Sequence, residues 1–521
     1  MSFLKTSPRE YQKEILETCI EKNCLVVLPT GLGKTLIALM LSIERMKRFP
    51  GEKVVFLAPT KPLAEQQINY FKKNLPELFG DMQLFTGSVK AENRKKIWRT
   101  ADIIFSTPQC VANDLKKNLY NLENVCLLIE DEAHRCMKNY DYNYIAKTYK
   151  YQSANPRILG LTASPGSDAS KIKEICDNLS IEEVELRTRE SPGVTQYLQE
   201  LEFEKIMIDL PEEFDDIRKL LTKTFHEYVE ELKNRRVLFG SPSKTGLIVL
   251  QKKIMSSIAK GNRNYNNFFA ASACSSAIKI QHALELLETQ TLASFNKYLK
   301  KLFDQAAKKE SKGVIKLVAK PEFNSAFIMS NEILRKNIEH PKIQKIIEIM
   351  QEESHKNPNL KIMVFTQFRD TAILISKKIN EIGIRSKVFV GQTKKSGGDN
   401  EEDSGLSQKE QKAIIREFSS GEINVLCATS IGEEGLDIPE VNAVIFYEPV
   451  PSAIRSIQRA GRTARLEKGK LIMLVTKDTR DEAYFYVSKA REKSMHKAIG
   501  TIKESLLRKS NSKKKETQKE L

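Results

Sequence analysis

Short apolar runs alternate with amphipathic segments twice along this 521-residue chain, and this pattern limits the fold more than any other feature. Such runs are typical of strands buried on both faces of a parallel sheet, with the amphipathic segments as crossover helices. The predicted strands are Cys24–Leu28, Val54–Ala58, Ile103–Ser106, Val125–Ile129 and Ile158–Leu161 in the first series, and Ile362–Phe365, Val388–Phe389, Val425–Cys427, Ala443–Phe446 and Leu471–Val475 in the second. The sequence therefore predicts an α/β fold with two parallel-sheet domains.

Between the two series the pattern changes to long helical periodicity, for example over Ala271–Phe303. A mostly helical domain inserted between the two sheets is the interpretation that fits this change. We place the domain limits at 1–205, 206–340 and 341–500, followed by a lysine-rich tail at 501–521.

The inserted domain contains a strongly basic stretch. Leu232–Arg263 has eight basic residues and no Asp or Glu, which favours sequence-independent contact with phosphates, although a solvated helical face would show the same composition. Phe268, Phe269 and Phe295 lie near basic residues, and we expect them to pack in the core rather than to stack on bases. The candidate nucleic-acid-binding residues of this stretch are Lys233, Arg235, Arg236, Lys252 and Lys253.

Composition narrows the partner and the compartment. The chain has 84 Lys and Arg against 67 Asp and Glu, a formal net charge of +17, which favours nucleic acid or an anionic membrane surface as partner. We expect no membrane span, because no run of about 18 uninterrupted apolar residues occurs, and no signal peptide. Eight cysteines without a C-x-x-C pair favour reduced thiols in a cytoplasmic protein over disulfides or a structural zinc site.

The first predicted strand leads into a glycine-bearing turn and a helix start, in the segment Leu25–Thr35. Glycines in such a turn allow successive backbone N–H groups to point inward and bind an anion at the helix N-terminus. Lys34 would reach the β- and γ-phosphates of ATP, and the Thr35 hydroxyl would ligate Mg²⁺. The strict phosphate-loop pattern has Gly six residues before the lysine, where this chain has Leu28. The candidate nucleotide-binding residues are Thr30, Gly31, Gly33, Lys34 and Thr35.

A second group of candidate residues follows the strand at Cys126–Ile129, in the sequence Glu-Asp-Glu-Ala-His. The carboxyl ends of parallel strands are where α/β sheets bind ligands. We therefore expect Asp131 to be a second Mg²⁺ ligand and Glu132 to polarise the attacking water. The alternative is that these acidic residues form an ordinary turn at the end of the strand, without a catalytic role.

The second domain offers cations for the same reaction in the segment Gln458–Arg465. Arg462 and Arg465 are three residues apart, so they share one face of a helix. From there both could stabilise charge on the γ-phosphate across an interdomain cleft.

These three motifs, in this order, resemble superfamily 2 helicases of the DEAH type, whose two motor domains are RecA-like. The resemblance implies that Arg9 and Gln12 contact adenine, that Gln458 belongs to the catalytic arginine motif, and that Gly435 and Asp437 face the nucleotide. It also implies nucleic-acid contacts at Thr60, Gly87, Thr107, Gln367 and Thr429. Thr162–Ser164 is similar to the motif that links hydrolysis to strand contact.

Further segments narrow the resemblance to the helicase part of the archaeal Hef and eukaryotic FANCM family. They are Asn139–Ala146, Leu161–Gly166, Gly432–Pro439 and Thr479–Tyr484. The resemblance implies an ATP-dependent helicase that acts on forked or branched DNA in repair, with an insert that grips duplex like a thumb. No nuclease signature is visible, and the tail is a candidate contact for a separate nuclease or sliding clamp.

Two other functions stay open. RIG-I-like and Dicer helicases share the motifs and a helical insert but bind double-stranded RNA. A nucleic-acid clamp that has lost ATP turnover would keep the same fold.

Overall fold

The architecture is that of a computed structural model in which residues 4–197, 201–240, 242–357, 360–391, 405–429, 438–450, 452 and 469–517 are described, with the backbone alone for 509–517. Among these residues, none of the helices combines the length and apolar character that a membrane span requires. All eight cysteines are buried and free.

The first domain is a seven-stranded parallel sheet in the order β3-β4-β2-β5-β6-β1-β7. Its strands are β1 Cys24–Val27, β2 Lys53–Leu57, β3 Met82–Phe85, β4 Ile103–Ser106, β5 Val125–Asp131, β6 Ile158–Thr162 and β7 Glu183–Leu186. Its helices are α1 Glu10–Glu21, α2 Lys34–Arg48, α3 Lys61–Asn74, α4 Ala91–Thr100, α5 Pro108–Lys116, α6 Asp141–Gln152 and α7 Ala169–Asn178. Leu25 and Val27 pack with α5, α6 and α7, whereas Cys24 and Val26 pack with α1, α2 and α3, so both faces of the sheet are covered.

The second domain is a six-stranded parallel sheet in the order β10-β11-β9-β12-β13-β8. Its strands are β8 Leu201–Ile208, β9 Ile362–Phe365, β10 Ser386–Phe389, β11 Val425–Ala428, β12 Ala443–Phe446 and β13 Gly469–Thr476. Its helices are α14 Pro341–Lys356, α15 Arg369–Glu381 and α16 Gln408–Ser420, and a long helix, α17 Arg480–Thr517, follows β13. The predicted α/β fold with two parallel sheets is confirmed.

The inserted domain is a helical bundle. Its helices are α8 Glu212–Asn234, α9 Lys244–Ala259, α10 Tyr265–Thr289, α11 Leu292–Ala307, α12 Lys312–Val318 and α13 Pro321–Arg335. α8 places Phe214, Ile217, Leu221 and Leu232 on one buried face, the spacing that a helix needs to cover a core.

Buried polar contacts join the insert to the second domain. The Gln290 side chain, at the end of α10, accepts a hydrogen bond from Thr371 Oγ1 on α15 at 2.8 Å. Glu288 of α10, which is also buried, accepts a hydrogen bond from the Arg480 N–H at the start of α17 at 3.3 Å. Breaking either contact would leave a polar or charged group unpaired in the interior, which is costly.

Two of the predicted domain limits need correction. β8 pairs with β13 along its full length, from Leu201 with Gly469 to Ile208 with Thr476, so the limit at residue 205 divides a strand of the second sheet. The limit at residue 500 divides α17, whose apolar stripe continues into the predicted tail.

Through this apolar stripe, α17 packs against the first domain. Met495, Ala498, Ile499 and Ile502 follow helical spacing and are buried in the core on the α7 side of the first sheet. Lys503 lies 3.7 Å from Glu183 of β7. The last helix of the second domain is therefore also a packing element of the first.

β5 carries a buried acid, Glu130, just before the carboxyl end of the strand. The Glu130 side chain is fully buried beside Cys136, and burial raises the pKa of its carboxyl well above the ordinary value of 4.5. Burial therefore favours the neutral form of this carboxyl in the folded protein, whereas the unfolded chain leaves it free to ionise.

We predict that Glu130→Gln stabilises the protein increasingly as the pH rises above about 4.5. A raised folded pKa means that the wild type loses about 1.4 kcal/mol per pH unit between its unfolded and folded pKa values, and the amide does not titrate. Urea unfolding of both proteins from pH 5 to pH 8 measures the difference. A constant difference across that range would contradict the prediction.

Candidate nucleotide and nucleic-acid site

The loop between β1 and α2 has the geometry of an anion-binding turn. Gly31 and Gly33 have φ values of 87° and 77°, in the left-handed region that favours glycine. A Cβ at Gly33 would also overlap Gln12 Nε2, so the Gln12 amide would have to move to admit a side chain. α2 begins at Lys34, which places its free N–H groups beside the loop.

The departure at Leu28 has a structural reason. The Leu28 side chain is fully buried in the core under α1 and α2, and its N–H bonds to the Thr162 carbonyl at 3.0 Å. Its carbonyl accepts a hydrogen bond from Lys34 Nζ at 2.8 Å. Residue 28 thus anchors the loop through its backbone while its side chain serves the core.

Gln12 braces the loop from α1. Its side-chain nitrogen donates to the Leu32 carbonyl at 3.0 Å, and its side-chain oxygen accepts from the Arg9 N–H at 2.9 Å. The Tyr11 hydroxyl donates to the same Leu32 carbonyl at 2.8 Å, and the Arg9 guanidinium lies 5.0 Å above the ring of Tyr197. The predicted contact of Arg9 and Gln12 with adenine stays a prediction.

Asp131 ends β5 in a buried position at the same sheet edge. Gln67 Nε2 of α3 donates to its Oδ2 at 3.0 Å, and the Glu132 N–H donates to its Oδ1 at 3.0 Å. Burial, and then the neighbouring Glu132 carboxylate, raise the pKa of Asp131, while the positive charge of Lys34 opposes the rise. A cation beside Asp131 would therefore favour its ionised form.

Glu132 has the left-handed φ of 51°, a strained conformation that proteins keep mainly at functional sites. Burial raises the pKa of Glu132, but contact with His134 and the charge of Lys34 outweigh burial and lower it. The pKa values of the two adjacent carboxyl groups are thus shifted in opposite directions, and such perturbed groups are candidates for a functional site.

A chain of contacts leads from Glu132 to the last helix. His134 Nδ1 lies 3.3 Å from Glu132 Oε2 and 3.2 Å from Thr162 Oγ1, which accepts from the Ser164 N–H at 3.1 Å. The Ser164 hydroxyl donates to Met495 Sδ of α17 at 2.9 Å. The segment Thr162–Ser164 therefore contacts α17 directly and the candidate catalytic carboxylate through His134.

The predicted nucleic-acid residues of the first domain lie together. Thr60, Gly87 and Thr107 follow the carboxyl ends of β2, β3 and β4, which are neighbours in the sheet. Thr60 and Thr107 are the residues before α3 and α5, where free helix N–H groups suit phosphate. All three share a sheet edge with the β1–α2 loop and Asp131.

The structure describes only some of the predicted site residues of the second domain. Gln367 is exposed after β9, whereas Thr429 is buried after β11, with its N–H bonded to the Phe389 carbonyl at 3.2 Å. The other predicted residues of this domain, Gly435, Asp437, Gln458, Arg462 and Arg465, lie outside the described residues.

The basic residues of the insert divide into two groups. Lys233 pairs with Glu230 at 2.7 Å, and Arg235 pairs with Glu231 at 2.9 Å. Arg236, Lys252 and Lys253 are exposed, and in the part of the chain that the structure describes their side chains make no ion pair. The second group is therefore available to phosphates.

The expected packing in the core is confirmed for Phe295 and is wrong for Phe268 and Phe269. Phe295 is fully buried, whereas Phe268 and Phe269 are 49% and 42% exposed. Both lie in the first turns of α10, before the helix enters the core at Ala270.

Residues that sequence reasoning missed also shape the site. Gln67 arrives from α3, and Tyr142 of α6 donates its hydroxyl to the Asp131 carbonyl at 2.7 Å. No sequence motif around either residue indicates this role, because both reach Asp131 through contacts between elements that are distant in the sequence.

Comparison with known proteins agrees with this geometry. The family model of the DEAD/DEAH box helicases matches residues 9–172, and the helicase conserved C-terminal domain matches residues 341–467. A helical-bundle family described for ATP-dependent RNA helicases matches residues 213–352.

Among curated relatives, a Methanocaldococcus jannaschii protein named as an ATP-dependent RNA helicase is 38% identical over 94% of this chain and 60% of its own length. The Fanconi anemia group M protein homolog of Mus musculus is 32% identical over 94% of this chain and 26% of its own length. The chain thus spans less than two thirds of the length of each of these relatives.

Among solved structures, the Hef helicase domain of Pyrococcus furiosus is 42% identical, with a TM-score of 0.71, over 92% of this chain and 98% of that one. With this agreement over motor domains and insert alike, the chain belongs to the DEAD/DEAH box helicases, in the group that includes the Hef helicase domain and the Fanconi anemia group M proteins.

Proposed function

We propose that this chain is an ATP-dependent DNA helicase or translocase that binds and remodels forked or branched DNA in the cytoplasm. The observation that carries the proposal is the edge of the first sheet. There Lys34, Asp131 and Glu132 lie on the same carboxyl edge of the sheet as the ends of β2, β3 and β4, so ATP chemistry and strand contact would share one edge.

The site residues suit ATP hydrolysis with Mg²⁺. Lys34 would exchange the Leu28 carbonyl for the β- and γ-phosphates, and Glu132 would orient the attacking water. Thr35 and Asp131 supply hydroxyl and carboxylate oxygens, the ligands that Mg²⁺ binds in phosphate sites. Burial raises the pKa of Asp131, and a bound cation would stabilise its ionised form. The bound ion would neutralise charge on the β- and γ-phosphates.

The contacts through Ser164 and Met495 support coupling between hydrolysis and DNA movement. α17 begins beside the insert, where the Arg480 guanidinium lies 3.6 Å from Glu288 of α10. Further along the helix, Met495, Ala498, Ile499 and Ile502 pack in the core of the first domain. A change at Glu132 could therefore displace the helix that contacts both motor domains and the insert. The contribution of Arg462 and Arg465 to the γ-phosphate remains part of the proposal.

Double-stranded RNA is the alternative substrate. The family model of the insert and the Methanocaldococcus jannaschii relative are both named for RNA helicases. A contact of residues 501–521 with a separate nuclease or sliding clamp also stays a proposal, and here residues 501–517 belong to α17.

We expect forked DNA to stimulate ATP hydrolysis more than duplex RNA of matched length and sequence. The measurement is phosphate release across single-stranded, duplex and forked DNA and duplex RNA. Stronger stimulation by duplex RNA would support the RNA alternative. Absence of nucleic-acid-stimulated release on every substrate would instead support a clamp without turnover.

We predict that Lys34→Ala lowers the rate of DNA-stimulated ATP hydrolysis by a factor of at least about 100, because it removes a charge that stabilises the transferring phosphoryl group. DNA affinity measured without nucleotide should change less than about twofold. Lys47→Ala, an exposed lysine on the same helix, is the matched control. Wild-type hydrolysis by the Lys34 variant would refute the assignment.

We predict that Lys252→Ala combined with Lys253→Ala weakens duplex DNA binding and reduces its salt dependence. Each phosphate contact adds roughly 0.9 to the slope of log K against log salt, so the slope should fall by up to roughly 1.8. Fluorescence anisotropy between 50 and 300 mM salt measures it. Lys72→Ala with Lys73→Ala, two adjacent exposed lysines of α3, is the control, and equal slopes in both variants would contradict the prediction.

A further inference from the structure

One end of the insert exposes aromatic side chains that its core does not use. Tyr265, Phe268 and Phe269 are 86%, 49% and 42% exposed. They are spaced i, i+3 and i+4 at the start of α10, so they share one side of the helix. From Ala270 onward α10 turns buried residues to the bundle core, so this aromatic face is separate from the packing surface.

Cations surround this aromatic face. The Arg235 guanidinium lies 4.8 Å from the centre of the Phe269 ring, and Lys316 Nζ lies 5.3 Å from it on another helix. Lys260 and Arg263 are exposed in the turn that leads into α10. The face therefore combines apolar rings with positive charge, and the preceding stretch 232–263 contains no acidic residue.

This chemistry matches unpaired nucleotides better than duplex. A duplex hides the faces of its bases, so an exposed ring gains stacking only from a base that is not paired. Any base offers such a face, and the flanking phosphates complement the cations. Arg235 is paired with Glu231, but among the described residues Lys260, Arg263 and Lys316 have no acidic partner, and an apolar protein partner would leave them without counter-charges.

We propose that Tyr265 and Phe268, with Phe269 beside them, stack on unpaired bases of a DNA strand at the end of a duplex. The inference rests on the proposed function and deepens it, because it assigns the single-stranded part of a fork to a particular surface. Lys252 and Lys253 lie about two helical turns before the end of α9, the helix that leads to this aromatic face. From there they would contact phosphates of the duplex next to the unpaired bases.

The test uses the full chain and a forked DNA with 2-aminopurine at the first unpaired position of one arm. Binding of the wild type should change the fluorescence of this base, and the same probe inside duplex should not respond. Tyr265→Ser with Phe268→Ser should abolish the response and weaken fork affinity by roughly tenfold, the loss expected for a base stacked on aromatic rings. Affinity for blunt duplex should change less than about twofold.

Tyr151→Ser is the matched control, because Tyr151 is 92% exposed on the first domain. Tyr265→Trp with Phe268→Trp should restore the fluorescence response, which a loss of folding would not allow. Thermal unfolding of each variant checks that the bundle is intact.

Three results would overturn the inference. They are an unchanged fluorescence response in the serine double variant, an equal loss of affinity for blunt duplex, and dissociation of a self-associated wild type by the same substitutions in sedimentation. Failure of the proposed function is distinguishable, since DNA-stimulated ATP hydrolysis would then be absent while fork binding could still depend on Tyr265 and Phe268.

Discussion

The Asp131 carboxylate lies almost fully buried at the end of β5, and its burial constrains everything around it. A buried carboxylate needs hydrogen bonds and a positive charge, which here come from Gln67, the Glu132 N–H and Lys34. To deliver them, α3 and the β1–α2 loop must both reach the carboxyl edge of the sheet. The strand order, in which β5 lies between β2 and β6 with β1 next along, meets that demand.

The same edge explains why the loop departs from the usual glycine at residue 28. The bond between the Leu28 N–H and Thr162 ties the loop to β6, and Thr162 also contacts His134. A residue with a buried side chain holds the loop against β6 at lower entropic cost than glycine, because glycine loses more conformational entropy on folding. The phosphate loop and the segment Thr162–Ser164 are thus one packed unit.

The sequence predicts the central strands well and the edges poorly. The predicted strands all occur, within a few residues, because fully buried strands are continuous apolar runs. β3, β7 and β8, all edge strands, were missed. Glu183, Glu185, Glu202 and Glu204 interrupt the apolar pattern of β7 and β8, as edge strands allow, and Gln83 interrupts the short β3. The ion pairs of Lys233 and Arg235 were missed because the acid-free stretch begins just after Glu230 and Glu231, which lie within helical reach of both. Their contact with nucleic acid stays a prediction. The exposure of Phe268 could not be predicted, because it depends on where α10 leaves the bundle.

The contacts between the parts of the molecule differ in kind, and the difference indicates which parts move together. The insert meets the second domain through buried side chains, Gln290 with Thr371 and Glu288 with the Arg480 N–H, whose separation would leave polar atoms unpaired in the interior. The two motor domains also meet at Glu65 and Lys412, an exposed pair at 2.7 Å, and such pairs contribute little. Relative motion therefore costs least between the first domain and a unit made of the second domain and insert. α17, which is packed on both sides of that boundary, must bend or slide when the motion occurs, and Ser164 contacts it where the nucleotide site adjoins.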